Sequence, residues 1–228
     1  MIGIIGAMDS EVNGLKTLLG DYRQEEFSGL VFAVGKINNN PVAVVKCGIG
    51  KVNAAFCTAA LIFRYNADSI INIGVSGGIG KRVKVLDIII ADGLCQHDFD
   101  LSAFGLKRGQ LSEELPLFLT PSKKITDKLL DAAKKLGASP VLGKIVSGDQ
   151  FISDGEKTIR FVQDFGADGV EMESAAVAQV CTKAGVDFAV LRTVSDRADE
   201  EAKESFEEIV EKAAAVSIQI INEYIKSI

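Results

Sequence analysis

Acidic residues that directly follow apolar segments are the groups of this sequence best suited to chemistry. They follow three separate apolar runs and are Glu11, the pair Glu171 and Glu173, and Asp196. Ligands bind outside the carboxyl ends of the strands in open α/β sheets, so acids at three strand ends can meet in one cleft. Any one of them could instead cap a helix, which contributes about 0.3–1 kcal/mol. Because acids beside buried strands are desolvated, their recurrence favours a functional site.

Carboxyl groups on two sides of a substrate suit the hydrolysis of a glycosidic bond. One carboxyl group protonates the leaving group, and the other activates a water molecule. When the leaving group is a purine, the acid should face the base, and a further carboxylate can stabilise the positive charge that develops on the ribose. This chemistry requires no metal. A single histidine and unclustered cysteines argue against a zinc site, and we expect no cofactor.

Two other patterns offer competing chemistry. Residues Gly74–Gly78 match the G-x-S-x-G motif of α/β hydrolases, but that motif needs a helix after the serine and a later His and acid. Loop and strand are expected after Ser76, so we interpret this segment as a glycine-rich turn that lets a ligand approach the backbone. His97 and Asp98 could form an acid–base pair, although a lone histidine in a loop is more often a structural hydrogen-bonding residue.

Short apolar runs alternate with longer amphipathic stretches, and these elements must position the acids. The predicted strands are Ile2–Gly6, Leu30–Val34, Val42–Cys47, Ser69–Ile73, Asp87–Leu94, Val141–Ser147, Gly169–Met172 and Phe188–Val194. The predicted helices are Ser10–Leu19, Lys51–Tyr65, Lys123–Leu136, Ser174–Ala184 and Ser205–Ile225. The second and third strands flank a hairpin turn. The alternation predicts an α/β three-layer sandwich, in which helices flank a central mixed, largely parallel sheet, as one domain over residues 1–228.

Composition narrows the class of protein. The chain has 228 residues, of which 47% are hydrophobic, and a net charge of −6. An acidic chain argues against nucleic acid or an anionic membrane as partner. The N-terminal segment has no basic leader and its apolar stretch is short, and the four cysteines form no C-x-x-C pair. We therefore expect a cytoplasmic protein with small buried thiols.

Taken in order, several short segments resemble the 5′-methylthioadenosine/S-adenosylhomocysteine nucleosidase family over nearly the whole chain. The segments are Ile4–Val12, Cys47–Val52, His97-Asp98 with Ala103–Gly105, Val146–Asp149 with Phe151-Ile152, Val170–Glu173, and Arg192 with Val194–Asp196. Each is modest alone, but their shared order and spacing make the resemblance specific. It implies a nucleoside phosphorylase/hydrolase-like fold, no metal, an adenine nucleoside substrate and a homodimer.

The resemblance also implies a role for each site residue. Glu11 would activate the water with help from Arg192, and Asp196 would protonate purine N7 while Ser195 orients it. Glu173 would grip the ribose hydroxyls. On the base and sugar, Phe151 would stack on adenine, the backbone of Ile152 would bond its edge, Met172 would bind the ribose, and Glu171 would be a supporting acid near the sugar. The remaining implied contacts are a 5′-alkylthio pocket from Ile49 and Phe206, further substrate contacts from Ser76 and Gly77, and contributions of Leu101 and Phe104 to the partner subunit's pocket.

One departure from the family pattern concerns the bound water. Many members have Gly-Ser-Ala-Gly where this chain has Gly74-Val75-Ser76-Gly77, so the hydroxyl that can help hold the water is shifted or lost. Alternatives remain open: a purine nucleoside phosphorylase that uses phosphate, a hydrolase of a related adenine nucleoside such as aminodeoxyfutalosine, a nucleoside-binding protein without catalysis, and a serine hydrolase that uses Ser76.

Overall fold

A nine-stranded mixed sheet forms the centre of the described part of the chain, which is residues 1–198 and 206–228 of a computed structural model. The strands are β1 Ile2–Gly6, β2 Arg23–Phe27, β3 Leu30–Ile37, β4 Asn40–Lys46, β5 Ser69–Gly78, β6 Ile88–Gln96, β7 Val141–Ser147, β8 Gly169–Glu171 and β9 Asp187–Asp196. Their order is β2-β3-β4-β1-β5-β8-β7-β6-β9. All five residues of β1 are buried, as expected of a strand covered on both faces.

The sheet closes on itself at one side. Strand β5 pairs in parallel with β9 and, at its far end, antiparallel with β8, while β9 also pairs with β6. Strands β5, β8, β7, β6 and β9 therefore form a closed ring. The ring brings the ends of β5, β8 and β9 together. Gly77 and Gly78 end β5, Glu171 ends β8 and Asp196 ends β9.

Six helices among the described residues cover the sheet. They are α1 Asp9–Leu18, α2 Lys51–Tyr65, α3 Lys123–Lys135, α4 Gly155–Phe165, α5 Ser174–Ala184 and α6 Phe206–Lys226. Helix α3 illustrates why they pack there: Ile125, Leu129, Ala132 and Ala133 form one buried stripe at helical spacing. None of the described helices is both long and apolar enough to cross a bilayer.

The predicted fold class is confirmed, since helices flank a mixed sheet. Each of the eight predicted strands is present within a few residues, and the hairpin between β3 and β4 turns through Asn38 and Asn39, both with positive φ. The last helix begins in the structure at Phe206, and Ser205, where its start was predicted, lies outside the described residues.

Three expectations need correction. Strand β2 was not predicted, because its sequence Arg-Gln-Glu-Glu-Phe is mostly exposed and carries no apolar alternation. Helix α4 was also missed, although Asp154 caps it by accepting the amides of Glu156 and Lys157. The segment Gly74–Gly78 is not a turn but the second half of β5, where a bulge after Ser76 changes its register with β9.

His97 belongs to a small apolar cluster and not to an acid–base pair. Its ring lies 4.3 Å from the ring of Phe161, and the side chain is buried. Burial lowers the pKa of His97 to about 4, so the ring is neutral near pH 7. Its neighbour Asp98 directs its carboxylate to Lys51 instead.

Candidate active site

A cleft opens where the ends of β1, β5, β8 and β9 converge beside the first turns of α1 and α5. Its empty space, with the open solvent at its mouth included, is about 740 Å³. Apolar walls with a few convergent carboxyl groups are typical of a site for a small organic ligand. Eleven residues singled out from the sequence line it: Glu11, Ile49, Ser76, Gly77, Phe151, Ile152, Glu171, Met172, Glu173, Ser195 and Asp196. The predicted acids therefore meet in one place.

Three other predicted residues that the structure describes do not line this cleft. Arg192 is completely buried behind it. Leu101 and Phe104 lie outside it, and Phe104 is 79% exposed. The side chain of Phe206 lies outside the described residues, so its predicted place in the 5′ pocket stays a prediction.

The buried ion pair between Arg192 and Glu171 connects the strands behind the cleft. Arg192 Nη2 donates to Glu171 Oε2 at 2.6 Å and to Asn72 Oδ1 at 2.7 Å. Glu171 also accepts the backbone amides of Glu173 at 3.0 Å and Ser174 at 2.9 Å, and the hydroxyl of Ser147. Burial alone would raise the pKa of Glu171, but the Arg192 charge and these donors together hold it below its usual value.

Glu11 faces the cleft from the first turn of α1. Its Oε2 accepts the amides of Ala7 at 2.6 Å and Met8 at 3.0 Å, and its Oε1 accepts the amide of Val75 at 3.1 Å. Burial raises the pKa of Glu11, although the charge of Arg192 and these three amides oppose the rise. The direct hydrogen bonds on Glu11 thus come from the backbone, and Arg192 acts on it through its charge.

Glu173 stands at the start of α5 with its carboxylate in the cleft. Its Oε1 accepts the amide of Gly50 at 2.8 Å, and its Oε2 lies 4.0 Å from Arg192 Nη2. Burial, followed by the negative charge of Glu171, raises the pKa of Glu173 to about 7. Protonated and ionised forms of Glu173 are therefore both populated near neutral pH.

Asp196 ends β9 and lines the cleft. Its Oδ2 accepts the hydroxyl of Ser195 at 2.7 Å, and its Oδ1 accepts the amide of Ala198 at 2.7 Å. A Cβ on Gly77 would lie 3.3 Å from Asp196 Oδ1, so the bare backbone of Gly77 leaves room beside this carboxyl group. Two donors fix the carboxyl orientation, as a proton-transfer group requires.

The departure at Val75 and Ser76 has a clear structural form. Val75 lines the cleft and donates its amide to Glu11, while the Ser76 hydroxyl oxygen is buried, 3.3 Å from where a Cβ of Gly169 would stand. Because alternate residues of a strand face opposite sides, the Ser76 hydroxyl points away from the face that carries Val75. Ser76 still lines the cleft, and its predicted ligand contact stays a prediction.

Five cleft residues were not identified from the sequence. They are Ala7, Met8, Val75, Gln150 and Val170. Val75, Gln150 and Val170 each adjoin an identified residue, whereas Ala7 and Met8 lie between β1 and Glu11, so proximity in the chain to an identified residue was the available signal. Their types carry no chemistry that would mark them alone.

The arrangement suits the cleavage of a bond between two ligand groups. Glu11 can take a proton from water, Asp196 can deliver one, and Glu173 can bind hydroxyl groups or stabilise positive charge. No Lys or Arg side chain lines the cleft within the described ranges, and no cluster there has the composition of a metal site. The serine-hydrolase alternative fails, because the Ser76 hydroxyl is buried and His97 lies outside the cleft lining.

Comparison with known proteins points to one group of enzymes. The model of the Phosphorylase superfamily matches residues 1–226. The chain is 43% identical over 221 residues to the 5′-methylthioadenosine/S-adenosylhomocysteine nucleosidase of Haemophilus influenzae (strain PittGG), covering 96% of each chain. The nucleosidase of the same name from Neisseria meningitidis, solved with methylthio-immucillin-A, aligns with a TM-score of 0.96 at 36% identity and covers 100% of this chain and 99% of that chain. Native futalosine hydrolase of Helicobacter pylori strain 26695 aligns with a TM-score of 0.95 at 36% identity, covering 100% and 97%.

The buried ion pair leads to a stability prediction. Arg192→Met should lower the free energy of unfolding by about 3–5 kcal/mol, because it leaves the Glu171 carboxylate buried without its cation. Adding Glu171→Gln should cost less than the sum of the two single changes, since the uncompensated charge is then gone. Urea denaturation measures all three variants.

The matched control is Arg160→Met, which removes an exposed pair with Glu156 and should change stability by less than about 0.5 kcal/mol. Strict additivity of Arg192→Met and Glu171→Gln would contradict the coupling described here.

Proposed function

This chain belongs to the 5′-methylthioadenosine/S-adenosylhomocysteine nucleosidase family of the phosphorylase superfamily, and we propose that it hydrolyses the N-glycosidic bond of these two nucleosides. The products are adenine and the 5-thio-substituted ribose. The reaction would serve methionine salvage and the recycling of S-adenosylmethionine by-products. The observation that carries the proposal is one cleft lined by Glu11, Glu173 and Asp196.

In the proposed reaction, the bond between the ribose carbon and the purine breaks and its electrons go to the purine. Asp196, oriented by Ser195, gives a proton to purine N7. Water attacks the sugar carbon and gives its proton to Glu11, which three backbone amides hold in place. Glu173 grips the ribose hydroxyls, and Phe151 and Ile152 bind the adenine.

Hydrolysis is favoured over phosphorolysis by the charges around the sugar side. Phosphate needs cationic or backbone donors, and Arg or Lys side chains are the usual source. Arg192 is completely buried and is engaged by Glu171 at 2.6 Å, while carboxylates face the cleft. A phosphate dianion there would be repelled by Glu11 and Glu173.

The substrate range includes a second candidate. The similarity to futalosine hydrolase, at a TM-score of 0.95 and 36% identity, favours aminodeoxyfutalosine as an alternative adenine nucleoside. Both substrates share the adenine and ribose ends, so the difference lies in the 5′ pocket, to which we assign Ile49. Comparing kcat/KM for the two nucleosides with one enzyme preparation ranks them.

We further propose a cytoplasmic homodimer. The four cysteines are all buried and unpaired, as suits a reducing compartment. Helix α2, which begins beside the cleft, exposes Val52, Phe56 and Phe63 at helical spacing on one face, and Phe104 is also strongly exposed. Several exposed apolar side chains on one helix face favour an interface. In this arrangement Leu101 and Phe104 of one subunit would complete the pocket of the other.

Product analysis tests the function. Incubation with methylthioadenosine should release adenine and free methylthioribose at the same rate with and without phosphate. Chromatography with mass detection identifies the sugar product. Formation of a ribose 1-phosphate that requires phosphate would favour the phosphorylase instead, and binding without adenine release would favour a nucleoside-binding protein.

Removal of either proton-transfer group should slow turnover. Asp196→Asn and Glu11→Gln should each lower kcat by at least about 10²-fold, the low end for positioned acid–base groups. Asp187→Asn, at the exposed start of the same strand as Asp196, is the control and should keep wild-type kcat.

Because Glu11 must be ionised and burial raises its pKa, kcat/KM should fall towards low pH with a midpoint above the ordinary Glu value of about 4.3.

The dimer proposal predicts a change in mass. Sedimentation equilibrium should give about twice the 24.3 kDa of one chain. Val52→Asp, at a side chain that is 79% exposed on α2, should shift the equilibrium towards monomer because it buries a charge in the interface. Leu136→Asp, which places a charge at an exposed apolar residue just beyond α3, should leave the mass unchanged. A monomeric wild-type chain at micromolar concentration would refute the dimer.

A further inference from the structure

We propose that Lys51 is a positioning residue that holds the adenine-binding loop against the ribose-binding side of the cleft. The loop is residues 148–152, which carries Gln150, Phe151 and Ile152. This inference rests on the proposed function, which assigns adenine to this loop and the ribose to the side of the cleft that carries Glu173. Lys51, Asp98 and Asp149, whose contacts carry it, lie outside the cleft lining and take no part in the proton transfers.

Three acceptors from two other segments surround the Lys51 ammonium group. Its Nζ lies 2.5 Å from Asp98 Oδ1, 3.1 Å from Gln96 Oε1 and 3.9 Å from Asp149 Oδ2. The side chain is only 16% exposed, so water screens these contacts weakly. Asp149 also donates its amide to Asp98 Oδ2 at 2.9 Å. One cation therefore joins the end of β6 to the loop that begins at residue 148.

The backbone at the start of α2 extends this connection to the sugar side. The amide of Lys51 donates to Asp149 Oδ1 at 2.8 Å, and the preceding amide of Gly50 donates to Glu173 Oε1 at 2.8 Å. Gly50 has a φ of +99°, which L side chains rarely adopt, and a Cβ there would lie 3.1 Å from Asp149 Oδ1, so a side chain would strain this turn and crowd the Asp149 contact. Adjacent amides thus hold one carboxylate from each side of the cleft.

Removal of the Lys51 charge acts mainly on the adenine side. Asp98 and Asp149 would keep their backbone donors but lose their shared cation, and the two carboxylates would then repel each other. Phe151 is two residues from Asp149 in the chain, so movement of Asp149 displaces it. Glu173 is held by a backbone amide of Gly50 that the side-chain change leaves in place. Binding of the base should therefore weaken while the chemical step is largely preserved.

The experiment compares Lys51→Met with the wild-type chain in two assays. The KM for methylthioadenosine and the Kd for free adenine, measured by calorimetry, should both rise at least about 10-fold, while kcat should change by less than about 3-fold. A purely structural defect would lower the active fraction, and hence kcat, without a matching change in adenine Kd. The control Lys123→Met removes a lysine–aspartate pair on α3 and should change neither quantity.

A second variant tests the electrostatic cause. In Lys51→Met with Asp98→Asn, the repulsion between Asp98 and Asp149 is gone although the shared cation is still missing, so KM and adenine Kd should rise less than in Lys51→Met alone. Asp98→Asn alone breaks the same pair without altering α2 and should raise KM and adenine Kd, which keeps the inference testable should Lys51→Met fail to fold. Unchanged adenine binding in Lys51→Met, or in Asp98→Asn where Lys51→Met does not fold, would overturn the role of Lys51.

The two proposals fail in different ways. Absence of adenine release by the wild-type chain would refute the proposed function, whatever the variants do. The role of Lys51 is decided by the ratio of adenine Kd values between variant and wild type, which needs no turnover. A wild-type chain that fails to bind adenine would overturn the role of Lys51 as well.

Discussion

The ion pair between Arg192 and Glu171 is the interaction on which the cleft depends. One guanidinium nitrogen lies 2.6 Å from Glu171 Oε2 and 2.7 Å from Asn72 Oδ1, so it joins β9, β8 and β5 at the point where the ring of strands closes. Both side chains of the pair are buried, and neither charge can be left alone without a cost of several kcal/mol. The convergence of these strands is therefore enforced by charge as well as by apolar packing.

Arg192 carries the one positive charge beside three glutamates, which are Glu11, Glu171 and Glu173, and their pKa values differ with their share of its charge. Glu171 has the direct contact and the largest number of donors, so its pKa lies below the usual value. Burial raises the pKa of Glu11, and burial together with the Glu171 charge raises that of Glu173 to about 7. Glu171 is accordingly an anchor that stays ionised. Glu173 is the carboxyl group whose protonation state can change near neutral pH when a sugar binds. Because Glu171 and Glu173 interact, their protons come off as a coupled pair.

Much of this organisation could be predicted from the sequence, and the exceptions have physical reasons. Apolar runs marked the buried strands, and acids after those runs marked the cleft. Strand β2 was not predicted because it is an exposed edge strand without apolar alternation. The continuation of β5 through Gly74–Gly78 was not predicted because the local preference of glycines is for turns. That extension is decided by pairing with β8 and β9, which are distant in sequence. The buried orientation of the Ser76 hydroxyl follows from the same extension.

Glu11 shows that the structural and the chemical interpretations of an acid need not compete. Its carboxylate accepts the amide of Met8 at the start of α1, which is the contact of a helix-capping acid. The same carboxylate receives the Val75 amide from β5 and faces the cleft. Capping fixes the orientation of a group that would otherwise have several rotamers, and burial keeps its pKa raised. The start of α1 thus fixes the orientation of the proposed base. Loss of the Glu11 carboxylate charge should weaken both the helix cap and the reaction, so turnover and stability must be measured on the same variant.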